Sequence, residues 1–234
     1  MIRRDIVRQT AMAIFLIVPL VLMSVGFLSG PRTIALITKV VPEVSRRSAT
    51  TEWAKAARGD QLISGDRVRT EKRSLAIIKF MDNSIVRLRE QSELTITGEV
   101  AGNKPSRVIG LSKGGFGFEI QKQHGDQFRL TSPTSVASIR GTRGKLSGGQ
   151  GFDTLVVTEG LVNFRNNVSG KDIDVAAGYI GFSNQDGSLT SRQATAQELA
   201  DANSAATGGT DNELRLELKD SQGNKKELKL KYKR

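Results

Sequence analysis

An all-β module behind an apolar leader is the fold class this sequence predicts, on three observations. Residues 33–183 fall into short apolar or alternating runs separated by Gly, Pro, Asn and Asp. The runs recur about every 8–12 residues, the spacing of a sandwich, barrel or solenoid. Ahead of them, between Arg8 and Arg32, no side chain is ionisable.

From Ala11 to Leu28 nearly every residue is apolar, with Pro19, Ser24 and Gly26 as mild interruptions. At a helical rise of about 1.5 Å per residue this length crosses a bilayer's hydrocarbon core. Residues 1–31 therefore read as a cytoplasmic stub and a transmembrane helix, with membrane contact through residues 11–30. A cleaved signal peptide is the second reading, but its apolar core is shorter, about 7–15 residues. The best small-residue pair for cleavage is Ser24 and Gly26, and Pro31 obstructs the site at Leu28-Ser29-Gly30. A buried core helix is the third and weakest reading, because nothing on the segment is polar enough to face water. Arg3, Arg4 and Arg8 precede the span, so positive-inside bias puts the N-terminus in the cytoplasm and the bulk of the chain outside it.

The strands follow in order. Thr33–Val41 alternates and is rich in β-branched residues, and Pro42 ends it. Leu75–Phe80 and Ile85–Leu88 flank Met81-Asp82-Asn83-Ser84, a hairpin signal because Asn tolerates the positive φ of a tight turn. Leu94–Thr97, Phe116–Ile120 and Gln127–Thr131 come next, the last running into Ser132-Pro133. Leu155–Thr158, Leu161–Arg165, Ile173–Ala176 and Tyr179–Ser183 complete the series. No strict repeat marks a regular solenoid.

Beyond them, residues 188–210 are rich in Ser, Thr, Ala, Gln and Gly and read as a polar linker. Within it Thr195-x-x-Glu198 is a capping-box pattern that opens a short helix. Residues 211–234 read as a basic β-hairpin, with Leu214, Leu216 and Leu218 facing Leu228, Leu230 and Tyr232. An isolated hairpin is marginal in water, so this one is expected to cap a sheet edge of its own domain or to meet a partner.

The formal charge of +11 is unevenly placed. Residues 1–73 hold 13 Lys and Arg against 6 Asp and Glu, residues 74–210 hold 14 against 13, and residues 211–234 hold 8 against 5. The middle is nearly neutral and the basic excess lies at the two ends. Basic ends beside a membrane fit anionic lipid or anionic envelope polymer. They do not fit nucleic acid, which wants basic stripes interleaved with stacking aromatics; here only Trp53 and Tyr232 offer themselves.

Chemistry-bearing residues are few. The chain has no cysteine, which excludes disulfides, thiolate metal sites and cysteine nucleophiles. His124, the one histidine, sits with Asp126 in Lys122-Gln123-His124-Gly125-Asp126; no Gly-x-Ser-x-Gly elbow accompanies it, so it reads as a solvated loop residue. Asp172 and Asp174 share one strand face, a weak calcium arrangement that more simply reads as a solvated edge. Ser147–Gly151 is glycine-rich but lacks a phosphate loop's lysine and helix, and reads as a hairpin tip. Asn167-Val168-Ser169 fits a glycosylation acceptor, which matters only in a eukaryotic secretory pathway. No catalytic residue, metal ligand or cofactor is assigned.

An ordered series of motifs then resembles the FecR domain. It runs through Trp53, Gly59-Asp60-Gln61-Leu62-Ile63-Ser64-Gly65-Asp66-Arg67-Val68-Arg69-Thr70, Ser74-x-Ala76, Phe80-x-Asp82-Asn83-Ser84 and Ser92-x-Leu94. It continues through Phe128–Thr142, with Ser132-Pro133-Thr134-Ser135 and Arg140-Gly141-Thr142, then Val156–Val162 and Ala177-Gly178. The resemblance implies an all-β, extracytoplasmic domain over residues 33–187, a sandwich or a solenoid-like stack. It implies that these motif residues set turns and strand register. Gly65, Gly141 and Gly160 suit positive-φ or close-approach positions, and Asp66 suits a turn acceptor. Asn83 stands where the family usually has glycine.

Regulators of this family are similar to a three-part design: a cytoplasmic anti-sigma segment, a membrane span, and an extracytoplasmic part that senses an outer-membrane receptor. Here about ten residues precede the span, and no obvious room for a small βαβ domain follows residue 182. The sequence therefore reads as a non-enzymatic module of the bacterial inner membrane that binds or scaffolds an envelope protein. Signal relay through a separate cytoplasmic sigma-factor partner is the alternative, and a basic surface module for anionic polymer or lipid the next.

Overall fold

The computed structural model describes residues 32–101, 104–122, 127–208, 213–219 and 225–231. The expected span at residues 11–30 lies outside them; among the described residues no helix is long and apolar enough to cross a membrane.

Two sheets share one long strand. Sheet I runs in the order β4 (Gln61–Leu62), β1 (Ala35–Val41), β6 (Leu75–Phe80), β7 (Ile85–Leu88), β9 (Lys104–Glu119), β12 (Arg143–Gly149), β13 (Phe152–Glu159), β16 (Tyr179–Asn184), β17 (Leu189–Gln193). Sheet II runs β3 (Ala54–Lys55), β2 (Val44–Arg47), β5 (Arg67–Thr70), β8 (Glu93–Ala101), β9, β10 (Gln127–Thr131), β11 (Ser135–Ile139), β14 (Leu161–Asn166), β15 (Asp172–Ala176). Every pairing is antiparallel except β9 with β10. From β6 onward the chain alternates between the sheets.

Alternation explains the two layers. On β6 the residues Ala76, Ile78 and Phe80 are buried while Leu75, Ile77 and Lys79 point outward. On β14 Val162 and Phe164 are buried between exposed Leu161, Asn163 and Arg165. The inward residues of both sheets form one core, in which Phe116, Phe118, Phe128 and Phe164 are fully buried. Each such side chain contributes about 1.5–3 kcal/mol of burial. Phe80 of sheet I meets Phe128 of sheet II edge to face, ring centres 5.4 Å apart. The sandwich form of the expected all-β fold is the one observed.

The crossing of β9 depends on a glycine. Its pairing to β8 ends at Lys113 and its pairing to β12 begins at Gly114, whose φ is +85°. A β-carbon there would stand 2.7 Å from the Ser92 Cα. Ser92 Oγ accepts from the Gly115 amide at 2.9 Å, which pins the bend. The Lys104–Gly115 half of this strand escapes the sequence reading, because Pro105 and three glycines mask its alternation.

Turns expected from single residues are present. Asn83 adopts φ +67°, and the Ser84 amide donates to Asp82 Oδ1 at 3.0 Å. Gly65, Gly141 and Gly160 all have positive φ. Asp66 is 2 % exposed and its Oδ2 accepts from the Ile63 amide at 3.0 Å.

The reading of residues 188–210 as a linker requires correction. Residues 189–193 are the edge strand β17, and helix α1 (Ala196–Thr207) lies on the outer face of sheet I. The expected capping box is formed by Thr195 and Glu198. The composition misleads because an exposed edge strand is polar and α1 buries only small residues, Ala202, Ala205 and Ala206. The C-terminal hairpin, β18 (Glu213–Lys219) with β19 (Lys225–Lys231), pairs Leu214 with Leu230 and Leu216 with Leu228. Its strands form a sheet of their own, so among the described residues it does not cap an edge of the domain.

Candidate functional site

Gly141 and Thr142 of the Arg140-Gly141-Thr142 motif form one wall of a polar cleft of about 350 Å³. Glu119 ends β9, Arg143 opens β12 and Glu159 ends β13, so the ladder brings three charged side chains side by side. Arg143 Nη2 lies 3.2 Å from Glu119 Oε1, and Arg143 Nη1 pairs with Glu159 Oε1. Arg87 Nη1 stands 3.8 Å from the other Glu119 oxygen. The result is a chain of alternating charge, Arg87–Glu119–Arg143–Glu159, crossing four strands.

Gly141 and Gly160 allow the walls to close. A β-carbon at Gly141 would stand 2.4 Å from Lys122 Cγ, and one at Gly160 2.4 Å from Thr142 Cγ2. Thr142 Oγ1 is buried without a partner. Each described carboxylate in the cleft, Glu119 and Glu159, faces Arg143. Such a site offers charged and polar groups to a polar segment.

Arg87 reaches the other way as well. Its guanidinium donates to the Ala206 carbonyl and so caps the C-terminus of α1. Burial lowers its pKa below the ordinary arginine value, against the opposing effect of Glu119. At the N-terminus of the helix, Glu198 is held down to about 2 by the Arg192 guanidinium first and by the Thr195 amide second.

A second polar network was not legible in the sequence. Asp153, fully buried, accepts at Oδ2 from the hydroxyls of Ser132 and Thr134, from Ser135 Oγ at 3.0 Å and from the Thr134 amide at 3.1 Å. Ser183 Oγ donates to the Thr134 carbonyl at 2.9 Å and accepts from Asn166 Nδ2 at 2.8 Å. The density of hydroxyls in Ser132-Pro133-Thr134-Ser135 was the available signal; its acceptor lies 18 to 21 residues away.

The other singled-out residues are placed as follows. His124 and Asp126 lie outside the described residues. Asp172 and Asp174 are exposed on the edge strand β15, and Asn163 Nδ2 donates to both, at 3.1 and 3.2 Å. No group of three or more potential metal ligands occurs among the described residues. Ser147–Gly151 is the β12–β13 hairpin end, with Gly149, Gln150 and Gly151 all at positive φ. Asn167 lies in the β14–β15 turn and its Nδ2 donates to the Ser132 carbonyl at 3.2 Å. Three arginines in residues 32–73 are ion-paired: Arg46 with Asp60 at 2.7 Å, Arg69 with Glu71 at 3.4 Å, and Arg67 with Glu93 at 3.8 Å. Trp53 is stacked by Arg47 and Arg69, 5.1 and 4.5 Å from its ring centre, which occupies the one aromatic of this region that a base could stack on.

Residues 66–163 match the family model described as FecR protein. A solved structure of a candidate anti-sigma factor from Parabacteroides distasonis is similar in fold, with a TM-score of 0.50 at 12 % identity over 67 % of this chain and 70 % of that one. A second structure of a candidate anti-sigma factor from that organism gives 0.49 at 12 % identity over 57 % of this chain and 62 % of that one, so the chain spans less than two thirds of it. At this identity the likeness concerns the fold alone. No curated protein matches the chain.

Proposed function

From a chain that carries a FecR domain over residues 66–163, we propose a signal-relay regulator of the FecR type that works by protein contact and not by turnover. That family match is the observation that carries the reading. The cleft supports it, since its charges are mutually compensated and its rim, Gln121 and Lys122, is exposed. In this reading residues 11–30 anchor the chain in the bacterial inner membrane and the sandwich stands on the extracytoplasmic side. A sigma factor is reached through a separate cytoplasmic partner.

The test places a photo-cross-linking residue at Lys122 of the full chain and measures transcripts in the source cell with the chain present and deleted. The relay reading expects a discrete protein adduct and a shift in one sigma-dependent set of transcripts. An adduct with unchanged transcripts would favour an envelope scaffold instead. The open edge at β15 would give such a scaffold a route for strand addition. Neither adduct nor transcript change would reject both.

A further inference from the structure

Sheet II ends in an open edge. β15 pairs with β14 over five residues in unbroken register, from Leu161 opposite Ala176 to Arg165 opposite Asp172, and with no other strand among the described residues. Native edges are blunted by shortness, by lysine or proline within the strand, or by a bulge. β3 and β4, the first edges of the two sheets, are two residues each. β17, the other edge of sheet I, has Arg192 tied to Glu198 of α1 at 2.7 Å. β15 reads Asp-Ile-Asp-Val-Ala and carries none of these devices.

The two faces of this strand differ. Val175 is fully buried in the core, and Ile173, half-buried, packs against it together with Leu189 of sheet I. Asp172 and Asp174 are exposed on the outward face, about 7 Å apart along the strand. Asn163 Nδ2 donates to both, and a neutral amide cancels neither charge. Among the described residues neither carboxylate has an ion pair, although Arg165 stands opposite Asp172. Two like charges are thus left uncompensated, and the vacant position beside each is that of the next strand.

We propose that β15 accepts an extended segment of a partner polypeptide in which basic residues alternate with apolar ones. Strand addition sets a residue of the incoming segment opposite each residue of the edge, with side chains about 4.5–5.5 Å apart at Cβ. Lysine or arginine opposite Asp172 and Asp174 supplies the missing countercharge. The apolar residue between them lies beside Ile173 and extends the core. A second copy of the same edge is the wrong occupant, since it would set carboxylate against carboxylate. The inference rests on the strand-addition route and not on signal relay, so it can fail where the transcript test succeeds, and the reverse.

The probe is an acetylated, amidated peptide Lys-Val-Lys-Val-Lys, offered to the full chain at low salt. Its comparators are Glu-Val-Glu-Val-Glu and the lysine peptide N-methylated at every residue, which keeps the charge but cannot form a ladder. The chain's formal charge is +11, so a basic peptide is repelled in general and has to find a local acidic site. The lysine peptide is expected to bind about ten-fold tighter than either comparator, and to slow amide exchange within residues 172–176. Asp172→Asn together with Asp174→Asn is expected to lower its affinity about ten-fold, the effect of two cross-strand charge pairs. Both aspartates are exposed, so the double variant should keep its urea midpoint. Equal binding of either comparator, unchanged affinity of the double variant, no protection of residues 172–176, or no binding at all would each overturn the proposal.

Discussion

Gly117 of β9 lies directly beneath Ala205 of α1: a β-carbon on Gly117 would stand 2.1 Å from the Ala205 carbonyl oxygen. The helix backbone rests on the sheet backbone with no side chain between them. Gly117→Val should therefore lift α1 from sheet I, at a cost of about 1–3 kcal/mol from overpacking. Urea unfolding would show the loss in midpoint, and proteolysis within residues 196–207 would accelerate.

Asp153 should be a larger liability. Asp153→Ala removes the common acceptor of the Ser132, Thr134 and Ser135 hydroxyls and the acceptor of the Thr134 amide, and a buried donor left without a partner costs about 1–3 kcal/mol. Thr134→Val removes one donor and leaves the others in place, so it should cost less. The two unfolding midpoints, compared at equal m-value, check the order.

The acid side of the stability profile has a marker in Glu198. Its carboxyl is held at about 2, below an ordinary 4.5. A depressed pKa means that the contribution is complete above 4.5 and lost as pH falls through about 2. Glu198→Gln should remove that part of the acid dependence and leave the neutral-pH fold intact. Parallel pH titrations of α1 helicity in the two proteins test this, and identical acid limbs would count against the assignment.

Asn83 occupies the left-handed region at φ +67°. Asn83→Gly should stabilise slightly, by up to about 1 kcal/mol, as the backbone relaxes. Asn83→Val should cost about 1–2 kcal/mol for the same φ. Chemical denaturation of the two variants gives opposite shifts if the turn is as described.

What could be read from sequence and what could not divide along one physical line. Strands such as Leu75–Phe80 and Gln127–Thr131 were legible because one buried face imposes a period of two on the residues themselves. The turns at Gly65, Asn83, Gly141 and Gly160 were legible because positive φ restricts residue type locally. The motif order that carries the resemblance was also in the chain, and residues 66–163 match the family model. The cleft was half legible: Arg140-Gly141-Thr142 stood out as a motif, but nothing local joined it to Glu119 and Glu159.

The tertiary structure alone decided the rest. Which sheet each half of β9 joins rests on Ser92, more than twenty residues away in sequence. The helix sits where it does because Gly117 leaves room and Arg87, 119 residues upstream of Ala206, caps it. The Asp153 cage likewise joins residues from separate strands. Local pattern encodes which face of an element is apolar and where the chain can turn. It does not encode which distant backbone will lie against that face, because that choice is made by close packing and by the pairing of buried polar groups over the whole chain.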